Sequence, residues 1–160
     1  MVTEKLLKAI NGQITAEMWS ANLYLAMSFH AAHKGWPGMA HWLERQWREE
    51  NGHACRLAAY LLQRGAKPVV DKVDVVPNDF GTPLEMFTQV YRHECRVSKM
   101  IEALVELAAE EKDLPTQDFL WGFVREQVEE EAAAMGIMEL MAHAGESGLL
   151  YADARLGKRE

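Results

Sequence analysis

Apolar residues recur at spacings of three and four through most of the chain, the period of a helix with one buried face. Clusters of proline and glycine interrupt the pattern at Gly35-Trp-Pro-Gly38, from Gly65 to Pro83, at Asp113-Leu-Pro115 and at Gly145-Glu-Ser-Gly148. Proline ends helices and glycine caps them. The breaks predict helices over about 4–33, 38–65, 83–111 and 116–144, and a short fifth over about 148–158. Each long segment spans about 40 Å at 1.5 Å per residue. Thr82-Pro-Leu-Glu85 holds the N-cap, first-turn proline and glutamate of a capping box. Short connections make the first and second segments, and the third and fourth, antiparallel hairpins. The connection between the second and third, about 17 residues, can run back along the bundle. The expected architecture is all-α: one domain over residues 1–160, a four-helix bundle with one long crossover and a short C-terminal helix. Within the crossover, Val69 to Val76 partly alternates and is rich in β-branched residues, which predicts a short extended strand.

Composition narrows the function. The 160 residues are 49% hydrophobic and 26% charged, too apolar for disorder. A formal net charge of −7 argues against nucleic acid or an anionic membrane as partner and is compatible with cations. No apolar run is long enough for a transmembrane helix, and the first residues lack a signal-like apolar stretch. Cys55 and Cys95 belong to no CxxC pair, so a zinc ribbon or thioredoxin-type motif is excluded. A reduced, cytoplasmic setting is the simplest expectation, with a disulfide left open.

The inward stripes carry the informative residues. They read Leu7, Ile10, Ile14, Glu17, Ala21, Tyr24 in the first segment and Leu43, Trp47, Glu50, Ala54, Leu57, Leu61 in the second, with His53 alongside. The third reads Phe87, Tyr91, Glu94, Val97, Ile101, Leu104; the fourth reads Leu120, Phe123, Gln127, Glu130, Ala134, Ile137, Met141. Every stripe contains a glutamate. An unpaired buried carboxylate costs several kcal/mol, and mutual repulsion adds to that. Arg45, Arg48, Arg92 and Arg125 fall off the stripes, so a bound cation is the better counter-charge. Glu50 and His53, three apart, reach the same point. Oxygen ligands with one imidazole suit iron or manganese and tolerate zinc. Glu17, Glu50, Glu94 and Glu130 sum to −4, the charge of two divalent ions. Di-iron bundles commonly use two Glu-x-x-His motifs. Here Glu50-x-x-His53 supplies one, and Gln127-x-x-Glu130 stands in place of the other, so two inequivalent metal positions are expected.

Glu17 with Tyr24, Glu49-Glu50-x-x-His53, Tyr91-x-x-Glu94 and Glu126-Gln127-x-x-Glu130 together resemble the ferritin family, specifically the non-haem bacterial ferritins, over essentially the whole chain. The resemblance implies an iron-storage enzyme, a ferroxidase that oxidises Fe(II) with O2 or H2O2. It implies one iron position held by Glu17, Glu50 and His53. A second has Glu50 as bridge with Glu94 and Glu130, and Gln127 nearby. It further implies a third position at Glu49, Glu126, Glu129 and Glu130, and an electron-donating role for Tyr24. A homo-oligomeric cage of 24 subunits is implied as well, with acidic entry channels for which Glu111, Asp113 and Asp118 are candidates. Haem is not expected, because Asn51 stands where bacterioferritins have their haem-binding methionine. The alternatives are another di-iron carboxylate protein, bacterioferritin- or rubrerythrin-like, and a metal-free helical scaffold.

Overall fold

A computed structural model describes residues 1–160. The chain forms four helices: α1 (Glu4–His33), α2 (Pro37–Gln63), α3 (Pro83–Glu110) and α4 (Leu114–Leu156). Side chains written into the sequence set their starts. Thr3 caps α1 by accepting from the Leu6 amide, and Thr82 and Glu85 form the expected reciprocal capping box on α3. Asp113 caps α4 by accepting from the Thr116 amide, so this helix starts two residues earlier than the proline pattern suggests. Helix α4 bends sharply at Gly145, where φ is 59° and ψ is −172°. That left-handed value favours glycine, and it separates a long limb from the short C-terminal one. The C-terminal limb therefore begins just after Gly145, ahead of the expected residue 148.

Helix α1 packs chiefly on α2, and α3 chiefly on α4. The long connection over 64–82 carries the chain back along α1: Val69 N donates to Asn11 Oδ1 at 2.8 Å, and Trp19 Nε1 donates to the Val75 carbonyl at 3.3 Å. The connection ends where His30 Nε2 meets the Gly81 carbonyl at 2.9 Å. No strand forms at 69–76, contrary to the alternating pattern. An extended segment needs a partner edge for its backbone groups, and here it lies against a helix instead. Val70 and Val75 remain exposed.

The interior contains two apolar clusters. One, around Tyr24, Met27, Leu43, Phe87 and Met141, fills the end near the α1–α2 turn. The other, around Leu6, Ile10, Leu57, Ile101 and Leu120, fills the opposite end. Three stripe assignments shift by one residue. Leu7, Trp47 and Tyr91 lie at the edge, while Leu6, Gln46 and Val90 are fully inside. A wide helical stripe tolerates either neighbour, and packing against the facing helix selects one.

The C-terminal limb docks on the start of α2. Met39 N donates to Asp153 Oδ1 at 2.8 Å, and the two backbones approach so closely at Gly38 that a Cβ there would lie 1.8 Å from the Asp153 carbonyl oxygen. Gly38→Ala is therefore expected to displace this limb and destabilise the fold by about 1–3 kcal/mol, as overpacking commonly does. Thermal unfolding and limited proteolysis near residue 145 would measure it. Unchanged melting and unchanged protease resistance would contradict the close docking.

Candidate metal centre

Between the two apolar clusters lies a polar layer to which all four helices contribute. The 3.6-residue repeat puts Gln13 and Glu17 on one face of α1, Gln46, Glu50 and His53 on one face of α2, Glu94 and Ser98 on α3, and Gln127 and Glu130 on α4. Glu17, Glu50 and Glu94 are at most 1% exposed. One carboxylate oxygen each from Glu17 and Glu50 and one ring nitrogen of His53 lie within 4.8 Å of one another. His53 Nδ1 is 3.2 Å from Glu50 Oε2 and 3.7 Å from Glu17 Oε2. Gln13 Nε2 donates to Glu17 Oε1 at 2.7 Å, whereas the buried Glu17 Oε2 accepts no hydrogen bond. A buried carboxylate oxygen without a partner is costly, and a cation among these three side chains would relieve that cost.

Glu94 occupies the facing side. It accepts a hydrogen bond from the Tyr24 hydroxyl and another from Gln127 Nε2 at 3.2 Å. Glu130 is half-buried and accepts from Gln46 Nε2 at 3.1 Å. Farther out, Glu126 accepts both oxygens' worth of contact from Arg56 Nη1, at 2.7 and 2.9 Å, and lies 3.3 Å from His53 Nε2. Glu49 accepts from Arg159 at 2.8 Å, and Glu129 is exposed. These acids border an open pocket of about 340 Å³ leading to His53.

Burial and proximity shift the ionisations. Burial pushes Glu50 well up; the hydrogen bond with His53 opposes this, and the neighbouring Glu17 and Glu94 carboxylates add to it. Burial would also raise Glu17, but the adjacent His53 and Glu50 side chains and the hydrogen bond from Gln13 hold it below the usual range. Glu94 is raised by burial, against the stabilising bonds from Tyr24 and Gln127. Glu130 rises to about 7 through burial and then repulsion from Glu94 and Glu49. Tyr24 is fully buried and faces carboxylates, so its pKa is pushed up and the phenol keeps its proton. His53 would be lowered by burial, but the adjacent Glu17 and Glu50 carboxylates carry it up to about 11.

The stripes thus bring Glu17, Glu50, His53, Glu94, Gln127 and Tyr24 together in the interior, with Glu130 at the edge. Glu49, Glu126 and Glu129 lie outside it. Gln13 and Gln46 join the layer without being part of the predicted stripes, although each sits four residues before a stripe glutamate and so on its face. His93, off the predicted stripes, is also buried, and its Nε2 meets Ser20 Oγ at 2.8 Å. Asp113 does not behave as a channel acid. It is buried, and its two oxygens accept from Arg64 Nη1 and Nη2 at 3.0 Å each.

Fold and site together define a four-helix carboxylate bundle in which Glu17, Glu50 and His53 could hold a metal ion. The ferritin-like domain family matches residues 7–143. A bacterial non-heme ferritin of Bacteroides fragilis is 57% identical over 159 residues, covering 99% of this chain and all of the relative. One from Campylobacter jejuni is 36% identical, covering 96% and 93%. Among solved structures, an open pore ferritin from the archaeon Archaeoglobus fulgidus superposes with a TM-score of 0.98 at 40% identity, covering 100% of this chain and 99% of that one. The chain belongs to the ferritin family, among its bacterial non-haem members.

The cluster has a pH signature. The folded His53 pKa lies above its ordinary value of 6.5. Its ion pair with Glu17 and Glu50 therefore stabilises the metal-free protein fully below about pH 6.5 and is lost as pH rises toward 11. Ring-nitrogen NMR of the metal-free protein at pH 8 should find His53 as imidazolium. A neutral ring at that pH would contradict the arrangement.

Proposed function

We propose that this chain stores iron and is a ferroxidase, oxidising Fe(II) with O2 or H2O2 at an intra-subunit centre for two ions. One observation carries the reading: Glu17 Oε2, buried and without a hydrogen bond, faces Glu50 and His53, and no lysine or arginine pairs with either carboxylate. Iron is the substrate, losing one electron per ion to the oxidant.

Glu17, Glu50 and His53 hold one ion. Nδ1 of His53 faces the two carboxylates, so it is the coordinating nitrogen, and Nε2–H remains to donate to Glu126. The imidazolium proton must leave when iron enters. Iron uptake therefore releases protons. Glu50 bridges to the second ion, which Glu94 and Glu130 also bind. Gln127 donates to Glu94 and so orients it, making it a positioning residue within that half. Tyr24 keeps its proton, donates it in a hydrogen bond to Glu94, and is placed to supply an electron.

The two halves differ in donors: one has an imidazole and the other only carboxylates. Oxidised iron then moves outward past Glu126, Glu129 and Glu49 for deposition as hydrous ferric oxide. The ferritin-like domain takes in all of residues 1–160. The working form is a cytoplasmic homo-oligomeric cage of 24 subunits. No helix is long and apolar enough to cross a membrane.

Glu50→Ala removes the shared ligand. It should slow the rapid phase of Fe(II) oxidation by more than the 10- to 100-fold, roughly, that follows loss of a lesser outer-sphere contact. Stopped-flow absorbance after mixing Fe(II)-loaded protein with air measures this. Unchanged early kinetics would refute the bridging role, and a particle mass far below 24 chains would refute the cage.

A further inference from the structure

The pocket outside His53 is less acidic than its glutamates suggest. Glu49, Glu126, Glu129 and Glu130 carry −4 when ionised, a set that would be expected to retain another cation. Two guanidinium groups pair with these acids, Arg56 from within the pocket lining and Arg159 from outside it. Arg56 Nη1 contacts both oxygens of Glu126, at 2.7 and 2.9 Å, and its guanidinium carbon lies 4.3 Å from the Phe123 ring centre. Arg159 Nη2 donates to Glu49 Oε1 at 2.8 Å, its Nη1 donates to the Trp42 carbonyl at 3.3 Å, and its guanidinium carbon lies 4.6 Å from the Trp42 ring centre. Each arginine is thus held by a stacking ring as well as by its carboxylate, which fixes the planar group in register. The net charge of the six side chains is −2, and both oxygens of Glu126 and Oε1 of Glu49 already accept N–H donors. Glu126 is also 3.3 Å from His53 Nε2, so its oxygens serve two cationic partners. These observations do not fit a third resting position.

We propose that Arg56 and Arg159 are intramolecular counter-ions that prevent Glu126 and Glu49 from retaining a third hard cation. The pocket is then a passage: a cation leaving the inner centre must displace a guanidinium to be held, and the guanidinium returns when it moves on. This inference rests on the two-ion reading of the inner centre but concerns different residues. It makes the ion count of this chain a property of its arginines, in addition to that of its acids.

The test counts ions without turnover. Mn²⁺ is a hard, redox-inert probe that avoids thiols, and its free concentration is read directly by EPR. The wild-type protein should retain two Mn²⁺ per chain. The Arg56→Gln/Arg159→Gln double variant should retain a third, about tenfold more tightly than wild type at the outer pocket, since two positive charges at close range are gone. Adding Glu49→Gln and Glu126→Gln should abolish the gained ion, and Arg56→Lys should behave as wild type because it restores the charge. Arg56 is a half-exposed side chain, so Arg56→Gln alone, expected to give an intermediate gain, keeps the test available if the double variant folds poorly. Equal ion number and equal outer affinity in wild type and the arginine variants would overturn the proposal. So would a gained ion that survives loss of Glu49 and Glu126. Failure of wild type to retain ions at the inner centre would overturn the two-ion reading instead. The difference between wild type and arginine variants at the outer pocket would still decide the role of the arginines.

Discussion

Carboxylates buried in the middle of a helical bundle constrain everything else in this molecule. Glu17, Glu50 and Glu94 lie almost wholly out of water, at a depth where an ionised group loses several kcal/mol of hydration. The apolar core cannot be continuous across them, and it divides into two clusters at opposite ends of the bundle. Each end supplies the packing that holds the helices straight. The middle supplies groups that packing alone would reject. The fold is stable because the two functions are separated along the bundle axis.

The protein meets the cost of that layer only in part with its own donors. Gln13, Tyr24 and Gln127 each give a hydrogen bond to a buried glutamate, and His53 sits as a cation between Glu50 and Glu126. The remaining deficit is concentrated on Glu17, where one oxygen has nothing to accept. Complete satisfaction would be more stable and chemically inert. An unsatisfied carboxylate oxygen beside an imidazole is a group that a cation could satisfy. The same balance appears at the rim in reverse, because Arg56 and Arg159 satisfy Glu126 and Glu49 with fixed charge.

Chain connectivity serves this arrangement. Antiparallel hairpins alone would bring only neighbouring helices into register. The long connection beside α1 lets α3 begin at the same end as α2, so Glu94 reaches the level of Glu17 and Glu50. The break at Gly145 turns the C-terminal limb back over the start of α2, where Gly38 permits close approach. That turn delivers Arg159 to Glu49, although the two are 110 residues apart in sequence.

Much of this was legible before any coordinates. Helix number, the long crossover, the capping box at Thr82 and the inward set Glu17, Glu50, His53, Glu94 and Gln127 all follow from local periodicity and from residues that end or start helices. Those signals act within a turn or two of chain, so one sequence suffices to read them. Three kinds of information were not local. The strand expected at 69–76 needed a partner edge and found a helix. Asp113 reads as a free surface acid, but Arg64, just past the end of α2, binds it. Arg56 and Arg159 fell outside the inward stripes, yet they set the charge at the rim. Helical spacing determines which face a side chain shares; only the packed chain decides which distant charge stands opposite it, because Coulomb energy depends on separation in space and ignores separation in sequence.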